Sequence, residues 1–174
     1  DFGKTFDVIE SVGVLHHMAD PIKGWKILVD LLKPGGLMKI GIYSENNRRH
    51  VVKARDIIAK LDISSDRNSM LEFRNKIITT SDKLLFSLVS EDDFYSTSNL
   101  RDLIFHVQEH RFTVKQIKSA LEKLGLHFCG FEFSDKKFQQ DFVSKYDDLL
   151  ETYIVYDLHD FEFQRFPMWL QKNH

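Results

Sequence analysis

One cysteine, Cys129, stands in 174 residues, so no disulfide can close within the chain. That fits a reducing compartment, and the expected location is cytoplasmic. No apolar run reaches the ~18 residues that suggest a membrane span. The opening residues, Asp1-Phe2-Gly3-Lys4, lack the pattern of a signal peptide, and no initiator Met precedes them. They run almost directly into a strand-like segment, so the expectation is a piece of something longer. Neither sign of charge dominates: 24 Lys and Arg face 26 Asp and Glu, a formal net charge of -2. Such a balance leaves no basic footprint, and nucleic acid is not favoured as a partner. Repeats and low-complexity tracts are missing. So is any Gly-x-Gly following a strand-like segment, the turn that lets backbone approach a nucleotide.

What is present is a core. Apolar residues make up 43% of the chain and include 15 Phe, which excludes disorder as its general state. Residues 1–44 read as strand, helix, strand. Phe6 to Val12 has strand character and stops at Gly13. Asp20 is a good N-cap and Pro21 suits the first helical position. Ile22, Trp25, Val29 and Leu32 then line one helical face. Lys33-Pro34-Gly35-Gly36 is expected to end that helix, and Leu37 to Tyr43 to form the second strand. Short joints make this a βαβ unit in a parallel sheet.

Residues 45–112 read as a mostly helical insertion, longer than a connection needs and suited to a lid or substrate subdomain. Val51, Ala54, Ile58 and Leu61 share one face; Met70, Phe73 and Ile77 share another. Asp92 to Ser98 reads as a loop, with Ser98 capping a short helix that carries Leu100, Leu103 and Ile104. Residues 113–174 should complete the core. Thr113 and Gln116 form a capping-box pattern, Val114, Ile117, Leu121 and Leu124 line the helix, and Gly125 closes it. Strands are expected at 126–133 and 166–172, with a helix from Phe138 to His159 between them.

Phe6 to Pro21, with Val14-Leu15-His16-His17 and Asp20-Pro21, resembles the fourth strand and following loop of class I S-adenosylmethionine-dependent methyltransferases. Leu31-Leu32-Lys33-Pro34-Gly35-Gly36-Leu37-Met38-Lys39-Ile40 resembles their turn into the fifth strand. Both lie in the expected order and at the expected distance, over about 40 residues. Residues 92–112 also resemble the substrate-side segment of a bacterial methyltransferase subgroup. The resemblance implies an α/β fold: the C-terminal half of a Rossmann-like methyltransferase sheet, a parallel βαβ plus a terminal antiparallel pair, with a helical insertion. It implies S-adenosyl-L-methionine as cofactor and an unknown methyl acceptor. The first three strands and the glycine-rich loop would lie before Asp1, so this chain would hold one wall of the cofactor site. Its exposed strand edge would then pair with that missing N-terminal half or with another chain.

By the resemblance, Ser11, Val12 and Gly13 contact the methionine part of the donor, Gly13 by close backbone approach; the alternative is a plain strand-to-loop turn. His16 either lines the cofactor site or packs under the loop. His17 is a candidate base, since histidine exchanges protons near neutral pH; alternatively it is solvated, and methyl transfer can run on positioning alone. Tyr95, in the aromatic and acidic stretch from Asp92 to Ser96, either orients an acceptor through its hydroxyl or anchors an ordinary loop. His106 and His110, with Glu109, match a zinc-hydrolase pattern if helical. The pattern sits at a helix end, no third ligand is identifiable, and a substrate-pocket or surface role fits better; no metal is assigned. Arg48, Arg49 and His50 open a helix, where cations oppose the dipole; an anion site and a solvated helix start are the two readings, the second favoured. Phe161, Phe163, Phe166 and Trp169 read as core or edge packing. The rival to an enzyme is a non-catalytic module, acting through its exposed strand edge.

Overall fold

The structure, a computed structural model, describes residues 3–105, 108–132 and 165–174. The predicted helix 138–159 and the aromatics Phe161 and Phe163 lie outside the described residues. The chain divides into two units, residues 1–47 with 108–174 and residues 48–107.

The first unit is built on a sheet. Strand β1 spans Phe6–Val12, helix α1 Pro21–Leu31 and strand β2 Leu32–Ser44. Asp20 caps α1 by accepting the N–H of Lys23 at 3.0 Å, and Pro21 takes the first helical position, as the sequence predicts. β1 and β2 pair in parallel from Val8↔Leu37 to Val12↔Gly41. The second strand starts earlier than the sequence suggests. Lys33-Pro34-Gly35-Gly36 lies within β2, and the register jumps between Phe6↔Leu32 and Val8↔Leu37 to absorb it. The physical reason is that Leu32 already leaves the helix in extended conformation. Gly35 then supplies a φ of 73°, which L side chains avoid.

Two further strands come from the end of the chain. Helix α6, Val114–Leu124, leads through Gly125 at φ 65° into β4, Leu126–Phe131. Its capping box is formed: Thr113 Oγ1 accepts from the Gln116 N–H, and Gln116 accepts from the Thr113 N–H. Strand β5, Arg165–Lys172, runs antiparallel to both β2 and β4, giving the order β1-β2-β5-β4. The expected parallel neighbours and terminal antiparallel pair are both there. A two-residue strand β3, Arg111–Phe112, pairs in parallel with Tyr43 and Ser44 at the far end of β2. Met38, Ile40, Ile42, Met168 and Leu170 are fully buried, in one cluster with Trp25 and Val29 of α1 and Ile117 and Leu121 of α6. Each such side chain contributes about 1.5–3 kcal/mol on leaving water. β1, at the end of the sheet order, is different: Phe6, Val8 and Val12 are exposed.

The second unit is helical. It holds α2 (Arg49–Lys60), α3 (Arg67–Ile78), α4 (Lys83–Phe86) and α5 (Thr97–Ile104). Val51, Ala54, Phe73, Ile77, Leu88, Phe94, Leu100 and Ile104 form its core. Leu61, expected on the shared face of α2, is exposed instead, because the helix ends at Lys60. Ser96, not Ser98, occupies the N-cap position of α5, and Asp92–Phe94 form a 3-10 turn within the expected loop. Nor is the start of α2 solvated at Arg48, which is buried. His50 there pairs with Glu91 through Nε2 and Oε1, 2.7 Å apart, both largely shielded from solvent. A charge this well covered demands partners, and none of them is legible in the local pattern.

Candidate functional site

The carboxyl ends of β1 and β2 are where open α/β sheets present ligands. β1 ends at Val12, and Gly13 turns the chain with φ 78°, its N–H donating to the Gly41 carbonyl at 3.1 Å. That conformation favours glycine, and it leaves the backbone uncovered by a Cβ. Ser11 is half-buried, on the helix-covered side with its partner Ile40, while Val12 and Val14 are exposed.

Leu15–His17 then form a single 3-10 turn. Within it the two histidines part company. The His16 ring is buried, stacked on Tyr43 of β2 with centroids 3.8 Å apart. The His17 ring is half-buried and meets the His16 ring edge-on, centroids 4.4 Å apart. A second segment, Gln108 to Arg111, runs alongside and is delivered there by β3. The His110 N–H donates to the His16 carbonyl at 2.8 Å. Nδ1 of His17 lies 3.2 Å from the Gln108 carbonyl. The Gln108 side-chain amide reaches the Met18 carbonyl at 3.3 Å and Nε2 of His110 at 3.1 Å. The Glu109 side chain is fully buried, 3.9 Å from the guanidinium of Arg111, which also faces Glu45 at 3.4 Å.

Gly13, His16, His17 and His110 are therefore gathered at one end of the sheet, with Ser11 and Val12 leading into it. Tyr95 belongs to the helical unit; it is exposed, its ring edge-on to Phe94. His106 lies outside the described residues. Residues 108–110 are extended toward β3 and not helical, so the helical spacing that the zinc pattern requires is not present at Glu109 and His110. No group of three metal-binding side chains occurs among the described residues. Tyr43 and Gln108 are the participants that the sequence does not single out. One sits inside an apolar strand and the other inside a motif read for its histidines, and only the fold sets them against the Leu15–His17 turn.

No protein-family model matches the chain. It is 30% identical over 144 residues to the uncharacterized protein syc1184_c of Synechococcus sp., a match covering 75% of this chain and 33% of that one. Over 48 residues it is 42% identical to the ubiquinone biosynthesis O-methyltransferase of Parvibaculum lavamentivorans, covering 28% of this chain and 19% of that one. Among solved structures, PKMT2 from Rickettsia typhi superimposes with a TM-score of 0.68 at 16% identity, over 98% of this chain and 36% of that one. The same protein in complex with AdoHcy gives 0.66 at 17% identity, over 99% and 36%. The chain thus spans about a third of the length of syc1184_c and of the Rickettsia typhi protein. No helix among the described residues is long and apolar enough to cross a membrane. The described residues therefore have a mixed α/β, methyltransferase-like fold.

Proposed function

We propose that this chain forms one wall of an S-adenosylmethionine-dependent methyltransferase site, at the carboxyl ends of β1 and β2. The observation that carries the reading is the turn at Gly13. A parallel strand pair ends there in a positive-φ glycine with no Cβ over the backbone, in a fold shared with a protein solved with AdoHcy. Ser11, Val12 and Gly13 would hold the methionine end of the donor, through backbone groups and close approach. His16, packed on Tyr43, would shape the wall from beneath. When bound, the donor would supply an electrophilic methyl on a positively charged sulfur. The chain's own contribution would be to orient the acceptor and exclude water.

The rest of the site would come from polypeptide outside these 174 residues. Two observations support that. The sequence has no strand-like segment followed by Gly-x-Gly, and Phe6, Val8 and Val12 of β1 are exposed at the end of the sheet order. A neighbouring strand along that edge would satisfy its backbone and cover Phe6 and Val8. The test is calorimetric titration with S-adenosylhomocysteine, of the 174-residue chain and of the protein extended before Asp1. Binding by the extended protein, lost or much weakened in the shorter chain, is the expected result. Binding by neither sinks the enzyme reading and leaves a module that acts through its strand edge.

A further inference from the structure

The Glu109 side chain is fully buried just before β3, and the donor site proposed above makes no use of it. A carboxylate in such a place needs a counter-charge held in good geometry. Arg111 supplies one: its Nη1 lies 3.9 Å from Glu109 Oε1. Its Nε lies 3.4 Å from Oε2 of Glu45, the residue after β2. A single guanidinium, largely shielded from solvent, thus faces two carboxylates through two different nitrogens. From this we infer that Arg111 is a positioning residue: it clasps the segment Gln108 to His110 against the turn after β1 and so holds one wall of the proposed donor site. The inference rests on the methyl-transfer reading above.

The clasp matters because the strand that delivers this segment is so short. β3 is two residues long and pairs with Tyr43 and Ser44, where strands usually run to about 3–10 residues. A ladder of that length is weak on its own. Yet the segment before it meets the turn at two backbone carbonyls. The His110 N–H donates to the His16 carbonyl at 2.8 Å, and the Gln108 side-chain amide to the Met18 carbonyl at 3.3 Å. Gly13, where the donor would approach the backbone, lies just before that turn. Whatever holds Arg111 in place therefore also holds the wall beside Gly13.

The competing anchor is Phe112, whose side chain is buried in the core cluster of the sheet unit. It fixes the residue after Arg111 but does nothing for the charge on Glu109. Without the guanidinium that carboxylate loses a counter-charge while it stays buried, and removing one partner of a buried pair is costly. The cheapest escape is for residues 108–110 to swing out to water, which breaks both contacts with the turn. A second guanidinium contact, to Glu45, ties the clasp to the end of β2, so that the segment is referred to the sheet itself. The delocalised fork of arginine suits this span between two acids better than the point charge of lysine.

The experiment combines amide hydrogen exchange with calorimetric titration by S-adenosylhomocysteine, both on the protein extended before Asp1. In Arg111→Met, which keeps most of the aliphatic stem, the His110 N–H should exchange ~tenfold faster or more, while the N–H groups of Ile40 and Leu170 in the sheet keep their rates. The dissociation constant should rise about tenfold, since a wall in place roughly a tenth of the time costs that factor. Adding Glu109→Gln removes the buried charge and should bring both readings back to within about threefold of the original. Arg111→Lys should lie between the original and Arg111→Met. An unchanged His110 rate in Arg111→Met would show that Phe112 suffices. A double variant no better than the single would show that buried charge is not the cause, and faster exchange with unchanged affinity would separate the clasp from the site. Each of these overturns the inference. Should Arg111→Met not fold, Arg111→Lys carries the test, and a His110 rate there equal to the original overturns it as well. If the unchanged protein fails to bind S-adenosylhomocysteine, the methyl-transfer reading and the clasp's role in it fall together, while the exchange rates still report whether the clasp exists.

Discussion

Replacing Lys172 by Met should weaken the sheet unit by about 2 kcal/mol, through the end of α1. The ammonium of Lys172 donates to the carbonyls of Val29 and Leu32 at 2.8 and 2.7 Å. The Val29 carbonyl lies in the last turn of α1 and the Leu32 carbonyl on its C-cap residue, where carbonyls are short of helical partners and a cation also complements the helix dipole. Hydrogen bonds to a charged group contribute about 1.5–3 kcal/mol each. The two here share one partly buried ammonium, and the Val29 carbonyl keeps the N–H of Leu32, so the full sum does not apply. Methionine retains most of the aliphatic stem, which isolates the polar loss from packing. About 2 kcal/mol remains. With an m-value near ~2 kcal/mol/M, the urea midpoint of this unit should fall by about 1 M. The reading needs a probe local to the sheet, such as Trp25 or Trp169 fluorescence, because a chain of two compact units need not unfold in a single two-state step. Lys172→Arg, which keeps the charge, should recover part of the loss. A Lys172→Met midpoint within ~0.2 M of the original would refute the view that this lysine closes the helix, and would make the contact a surface ornament.

Three other outcomes follow from the same kind of reasoning. Asp66 caps α3 by accepting from the Ser69 hydroxyl and backbone N–H and from the Asn68 N–H, and the Ser69 hydroxyl above all lowers its carboxyl to about 2. Because the folded value lies below the unfolded one, the cap's stabilisation is present above the ordinary carboxylate range and is lost as pH falls toward 2; an NMR titration with a midpoint near 4 would contradict it. Gly36→Ala should cost about 1–3 kcal/mol, since its Cβ would meet the backbone oxygens of Lys33 and Asp7 at 2.9 and 3.0 Å, and neither can rotate away. Amide exchange should quicken first where β1 meets β2, and an unchanged pattern would show that the strands can part without cost. In the helical unit, Glu91→Leu or His50→Leu alone should destabilise by about 1–3 kcal/mol, the cost of leaving a buried hydrogen-bonding group without its partner, while the double variant should recover most of it; additive losses in a double-mutant cycle would show that the pair is not coupled.

Local chemistry alone determined the elements whose signals are short in range. Asp20-Pro21 starts α1, Thr113 with Gln116 starts α6, and Gly125 ends it, because a cap involves atoms three or four residues apart. The parallel pairing of β1 and β2 was also legible, from a strand, a helix and a strand joined too tightly for another arrangement, and the 40-residue resemblance supplied the fold around it. Gly13 was readable for the same reason: a strand that stops at glycine marks its own end. What only the tertiary structure decided is everything that joins distant segments. The burial of Arg48 is not written in its local sequence, and His50 pairs with Glu91, 41 positions further along the chain. Lys172 finds the end of α1 across 140 residues or more. The contact between His17 and Gln108 spans 91 residues, and no periodicity encodes it; it exists because β3 pairs with the last residues of β2 and lays the segment before it against the turn after β1. Sequence patterns state which face of an element is apolar. Which polar groups meet there is settled by the packing of those faces, since a buried donor or acceptor takes whatever partner the fold brings within reach.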